Sequence, residues 1–280
     1  MRTLQQGAQW RSSRRDAFFW VTPHQTHDYT CHWMSSSLNA SLERLQKAER
    51  VAQAEIRVFR SGKDEALCHA LVDGHRAVLA AYGIKRLTTF NRDWIGREDV
   101  LVIAALGDDG RILGGARLQH LHTLDDTPLY RAVGDQDPDL AEVLRPYMAE
   151  GAWELGGLWN SMELAGMGVE ASYLVRAALA AMPLADARHL FALTSPVTRR
   201  MQAALGFETQ GGIGDNGFFV YPTPTLKASI ARFTFPEQLA MATPEVRNFL
   251  KGIWEDPMAY AHEMGGPKGN MAVMFRLEFA

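Results

Sequence analysis

The chain has 280 residues, of which 47% are hydrophobic and 22% charged, a composition that supports a packed core and argues against a disordered protein. Its 29 basic and 32 acidic residues leave a formal charge of −3, with the excess acid in residues 51–221, so no basic footprint for nucleic acid is expected. Two cysteines, Cys31 and Cys68, cannot build a disulfide framework, and no stretch approaches the roughly 18 apolar residues of a membrane span. A protein of the reducing cytoplasm is therefore expected.

Residues 1–33 are polar, aromatic and aperiodic, the pattern of a weakly anchored tail. Ser13-Arg14-Arg15 resembles a twin-arginine signal, but the apolar run after it (17–21) is too short and ends at Pro23. His24, His27, Cys31 and His32 have ligand-type side chains without a second cluster or a finger pattern, so no metal site is expected. A charged helix is expected over 41–54, a short strand at Ile56 and Val58, and a helix over 64–82 with Gly83 as its stop. Strands are expected over 99–106 and 111–121, joined by the turn Gly107-Asp108-Asp109-Gly110.

A long connection, 124–150, holds a helix near 140–147, and a strand follows over 152–160. An Ala-rich helix, apolar almost all round, is expected over 169–182 and buried against a sheet. Next come a strand over 189–194, a helix opened by Ser195-Pro196 and stopped at Gly206-Phe207, and a final core strand over 218–221. Pro222 and Pro224 mark a boundary, beyond which lie an amphipathic stretch near 235–262, a turn at Gly265-Gly266 and a strand over 271–279. Three parts are expected: a tail and helix over 1–50, an α/β domain over 51–221, and an extension over 222–280 serving as a lid, a dimer surface or part of an acceptor pocket. The element order gives an α/β (α+β) fold with a mixed, mostly antiparallel sheet flanked by helices.

The informative window is 153–207. Glu163-Leu164-Ala165-Gly166-Met167-Gly168 follows a strand and opens a buried helix. Two glycines there allow close backbone approach, and the unpaired N–H groups of a helix start suit a phosphate. This segment resembles the pyrophosphate loop of the GNAT acyltransferase superfamily, Arg/Gln-x-x-Gly-x-Gly/Ala. Leu205-Gly206-Phe207 resembles the close of that family's fourth helix. Gly114-Gly115-Ala116-Arg117-Leu118 and Trp153-Glu154 are similar to strands of acyl-homoserine-lactone synthases and related N-acyl synthases, although Gly157 stands where those lactone synthases carry arginine.

The resemblance implies an N-acyltransferase that moves an acyl group from acyl-CoA to a small-molecule amine by direct attack in a ternary complex. It assigns the donor to Leu158, Asn160, Gly166, Met167, Gly168, Val169, Glu170, Ser195 and Arg199, and the acceptor to Arg117, Trp153 and Gly156, with no metal. Glu154 is the expected proton acceptor, since an amine must lose a proton to attack a thioester. A bulge at Gly156-Gly157 would free N–H groups for the oxyanion. Arg117 would hold an acceptor carboxylate, while Asp93-Trp94, His120 and His122 are weaker candidates.

Three positions depart from the superfamily pattern, Gln202, Ser195 and Glu163, the last in place of the loop's Arg or Gln. The tyrosine that protonates the leaving thiolate falls at Gln202, and the helix-opening asparagine at Ser195. Glu163 in the loop would repel CoA phosphates more than a carrier's single phosphodiester, and Arg199 and Arg200 would suit an acidic acyl carrier protein. Two alternatives therefore stand: a carrier-dependent N-acyl amino acid or signal synthase, and a non-catalytic acyl-CoA-binding module. A homodimer is compatible with either. Neither nucleic acid nor membrane is an expected partner.

Overall fold

The structure is a computed structural model and describes residues 52–279. The tail, the His24–His32 group and nearly all of the helix expected over 41–54 lie outside the described residues. Ten strands form one sheet: β1 (Ala52–Arg60), β2 (Val100–Gly107), β3 (Ile112–His120), β4 (Ala152–Asn160), β5 (His189–Thr194), β6 (Glu208–Thr209), β7 (Phe219–Val220), β8 (Lys227–Thr234), β9 (Tyr260–Gly266) and β10 (Gly269–Leu277). Their spatial order is β6-β8-β5-β4-β3-β2-β1-β10-β9, and β7 also pairs with β8. Only β1/β10 and β4/β5 run parallel, so the sheet is mixed and mostly antiparallel, as expected.

Among the described residues seven α-helices accompany it: α1 (Glu65–Ala80), α2 (Pro128–Val133), α3 (Leu140–Ala149), α4 (Met162–Gly166), α5 (Ala171–Ala181), α6 (Arg199–Ala204) and α7 (Pro244–Glu255). Asp64 caps α1 by accepting from the Leu67 N–H at 2.9 Å, and Thr243 caps α7 ahead of Pro244, two starts that local chemistry favours. β2 is apolar on both faces because helices cover both. On one face α5 and α7 pack over Ile103, Leu118, Trp153 and Leu155. On the other, α1 covers Phe59, Val100 and Val102, while α2 and α3 cover Phe191 and Ile230.

Several expectations are revised. Strand β1 begins at Ala52 rather than near Ile56. Residues 218–221 are not the last core strand: β7 spans two residues, and β8, which the sequence did not reveal, lies beside β5 along its whole length. Pro222 and Pro224 sit in the β7–β8 turn, closed by Tyr221 N–H donating to Leu226 O at 3.0 Å. Residues 222–280 thus supply three strands to the same sheet as residues 52–221.

Two features of β4 position the site. Its pairing with β5 ends at Glu154 opposite Phe191, after which the two strands diverge. Its register with β3 slips between the pairs Arg117/Gly156 and Gly115/Trp159. Gly157 and Leu158 therefore face the single residue Ala116, a bulge with Gly157 at φ +65°, a conformation that glycine adopts without strain.

Candidate active site

The gap between the diverging strands is a cavity of about 270 Å³. Gly156, Gly157 and Leu158 of β4 form one wall and Ala192, Leu193 and Thr194 of β5 the other. Leu155, Val175 and Phe207 line it from the α5 side, and His75, Thr88, Leu129, Glu154 and Tyr221 from the α1 side. It is an apolar passage through the sheet with a few convergent polar groups, the usual make-up of a ligand site.

Glu154 is a buried carboxylate on the cavity wall. Alternation along β4 turns it away from Trp153 and Leu155 and toward α2, whose Leu129 N–H donates to Glu154 Oε2 at 2.9 Å. The residue is 3% exposed, and burial pushes its carboxyl up to about 7 against the lowering effects of that N–H and of the Arg117 and Arg131 charges. A carboxylate poised near neutrality can accept a proton at working pH. Beside it Gly156 leaves room: a Cβ there would stand 3.7 Å from Glu154 Oε1.

Arg117 lies directly across from Gly156 but behind Thr89 rather than on the cavity wall. Its Nη1 donates to Thr89 O at 3.3 Å, and its guanidinium stacks over Trp94 at 5.2 Å. Its Nε and Nη2 have no partner among the described residues, and burial lowers its pKa to about 10. His75, which the sequence did not single out, is pushed down to about 4 by burial and the nearby Arg117 charge, so its imidazole is neutral. Tyr221 is a second lining residue that the sequence placed in a strand but gave no role. Its alternation with the buried Phe219 was the available signal.

The other expected site residues divide into those at the cavity and those away from it. Leu158, Ser195 and Gly156 line it. Trp153 faces the opposite side of β4, buried and stacked on His120 at 5.1 Å. His122 pairs with Asp99 at 3.0 Å, away from the cavity. Arg199 and Arg200 are exposed, with Arg199 over the Phe218 ring at 5.8 Å. Gln202 lines the cavity and accepts from Thr194 Oγ1 at 3.1 Å.

The glycine loop departs most from expectation. Residues 163–166 belong to α4, capped by Ser161, which accepts from Leu164 N–H at 3.1 Å. The N–H groups of Met167, Gly168 and Val169 already donate to α4 carbonyls. Asn160 Nδ2 ties the loop down through Val169 O at 2.8 Å. The close approach that Gly168 permits is made by the β9–β10 turn, since a Cβ at Gly168 would fall 2.4 Å from Gly265 O. Lys268 N–H donates to Gly166 O at 2.9 Å. Only the N–H groups near the α5 start, at Glu170, Ala171 and Ser172, remain outside these pairings, beside the exposed Glu170 carboxylate. Glu163 pairs with Arg111 at 3.0 Å on the surface, so its charge is matched by a cation instead of confronting the loop. Among the described residues no group of three or more His, Cys, Asp or Glu side chains could hold a metal ion, and no helix is long and apolar enough to cross a membrane.

A mixed sheet whose fourth and fifth strands splay around a cavity, with a bulge in the fourth and a buried helix between them, is a GNAT-like fold. Among solved structures the chain is similar to FeeM, an N-acyl amino acid synthase from uncultured soil microbes, at 13% identity and a TM-score of 0.54, covering 68% of this chain and 95% of FeeM. It is also similar to BjaI, a CoA-dependent acyl-homoserine lactone synthase solved with SAM and isopentyl-CoA, at 14% identity and a TM-score of 0.44 over 70% of this chain and 87% of BjaI. A third similarity is to an acyl-CoA N-acyltransferase from Pseudomonas aeruginosa, at 16% identity and a TM-score of 0.40 over 59% of this chain and 88% of that one. No protein-family model and no curated protein sequence matches the chain.

Proposed function

We propose that this protein is an N-acyltransferase that moves an acyl group from a thioester, with acyl-CoA as the donor of choice, onto the amine of a small molecule. The observation that carries the reading is Glu154, a buried carboxylate held near pKa 7 at the head of an apolar passage. In this reading the thioester enters between β4 and β5 with its acyl chain against Leu155, Leu158, Val175 and Phe207. The amine approaches from the α1 side and gives its proton to Glu154. The bulged backbone at Gly157 faces the thioester carbonyl, where N–H groups freed from the β3 ladder stabilise the developing oxyanion. Arg117, behind Thr89, favours the ionised form of Glu154 against the larger effect of its burial.

The Glu163–Arg111 pair removes the loop's reason to favour a carrier-bound donor over CoA. The likeness to the FeeM fold supports acyl transfer to an amine in general and leaves the acceptor to experiment. Thiol release from acyl-CoA with a panel of amines and amino acids tests the reading. An active wild type and a Glu154→Gln variant reduced in kcat/KM are expected, whereas donor binding without turnover would mark a binding module.

A further inference from the structure

The proposed reaction needs a proton for the departing thiolate, and position 202 cannot supply it, because an amide does not act as an acid there. The titratable groups that line the cavity are His75, Glu154, Tyr221 and Lys227. His75 is neutral, Glu154 is committed to the amine proton, and the Lys227 ammonium is held over the Phe218 ring at 5.5 Å near the exposed Arg199.

Resting on the acyltransferase reading, we propose that Tyr221 is the catalytic acid that protonates the leaving thiolate, delivered by the β7–β8 hairpin rather than by the helix after β5. Contacts along the hairpin hold Tyr221 in place. The side-chain amide of Gln136 grips Val220 from both sides, accepting from its N–H at 2.8 Å and donating to its carbonyl at 3.1 Å. Tyr221 N–H closes the turn onto Leu226 O. Strand alternation then puts the Tyr221 ring on the same side as the buried Phe219, against the α2–α3 cluster, with its hydroxyl at the cavity wall.

The hydroxyl is also prepared for the task. Thr88 N–H donates to its oxygen at 3.3 Å, and Thr88 Oγ1 lies 3.1 Å away, so a phenolate formed in the reaction meets a donor already in place. Burial and the Glu154 charge raise the phenol above its ordinary pKa while the Thr88 contacts lower it, so the phenol becomes a stronger acid once Glu154 has taken the amine proton and its charge is gone.

The step balances. The amine nitrogen forms the C–N bond and passes its proton to the Glu154 carboxylate. The C–S bond breaks with its electron pair on sulfur, and sulfur takes the Tyr221 proton. Return of the proton from Glu154 to the phenolate, through water or the Thr88 hydroxyl, restores both groups. No other reactant is required.

The test is leaving-group dependence with Tyr221→Phe, which keeps the ring and removes only the hydroxyl. With octanoyl-CoA, kcat should fall by about 10²–10⁴, the range for a positioned acid. With S-phenyl thiooctanoate, whose thiol is far more acidic and leaves without help, kcat should match wild type. Glu154→Gln should instead lose rate with both donors. Equal losses on both donors in Tyr221→Phe, or an unchanged rate with octanoyl-CoA, would overturn the role of Tyr221 while leaving the acyltransferase reading intact. A wild type that acylates no amine from either donor would overturn both.

Discussion

At the scale of single residues the account turns on Glu154. Its carboxyl moves from an ordinary 4.5 to about 7 on folding, a difference worth about 3 kcal/mol between its two protonation states. Because the folded pKa is the higher one, this stabilisation is complete below about pH 4.5 and is lost as pH rises through 7. Glu154→Gln, which keeps an oxygen for the Leu129 N–H, should therefore raise the melting temperature at pH 8 and leave it near wild type at pH 5. In wild type, kcat/KM should climb with pH to a plateau above an apparent pKa near 7, and the variant should lie about 10²–10⁴ lower with no such climb. A flat wild-type profile between pH 6 and 8 would remove Glu154 from proton transfer. The sequence was informative about this residue, because Trp153-Glu154 lies on a strand whose alternation fixes the face it uses. It could not reveal His75, which reaches the cavity only through the packing of α1, and for Tyr221 it offered a face by alternation with Phe219 but not the cavity that face meets.

Among the elements, the strand ends and the bulge were legible because they are local. β4 and β5 run where the apolar pattern placed them, and the ladder breaks one residue later than expected, at Gly157-Leu158, with Gly156 still paired to Arg117. The glycine loop differs from its expected form for a physical reason, its N–H groups at 167–169 being already paired. A glycine marks a close backbone approach but does not say what approaches, and here Gly168 is met by Gly265. Gly168→Ala should consequently destabilise the fold by about 2 kcal/mol or more, since it combines a positive φ of +86° with a clash against backbone. Chemical denaturation measures this, and an unchanged midpoint would mean that the β9–β10 turn does not seat on the loop. By contrast, a Cβ at Gly156 would meet only side-chain atoms at ordinary contact distance, Thr89 Cγ2 at 3.4 Å and Glu154 Oε1 at 3.7 Å, so Gly156→Val is sterically mild. It should fold normally yet bind acyl-CoA weakly, because its side chain fills the space beside Glu154.

Across the whole molecule, the segment after Pro222 closes the sheet on both sides. β8 lies between β5 and the edge strand β6, and β10 runs parallel to β1. A chain ending at residue 221 should therefore show no cooperative unfolding transition, and a sharp one would contradict this packing. Sequence reasoning divided the chain there because paired prolines in a tight turn look like those in a linker, and because the strand over 227–234 mixes small and polar residues along a segment buried on both faces. If the cavity between β4 and β5 performs acyl transfer to an amine, turnover itself is the decisive measurement. Wild-type protein mixed with acyl-CoA and a panel of amines should release free thiol and form an amide identifiable by mass, at a rate that rises through pH 7. Release of no thiol, or of thiol with free fatty acid and no amide, would contradict that role.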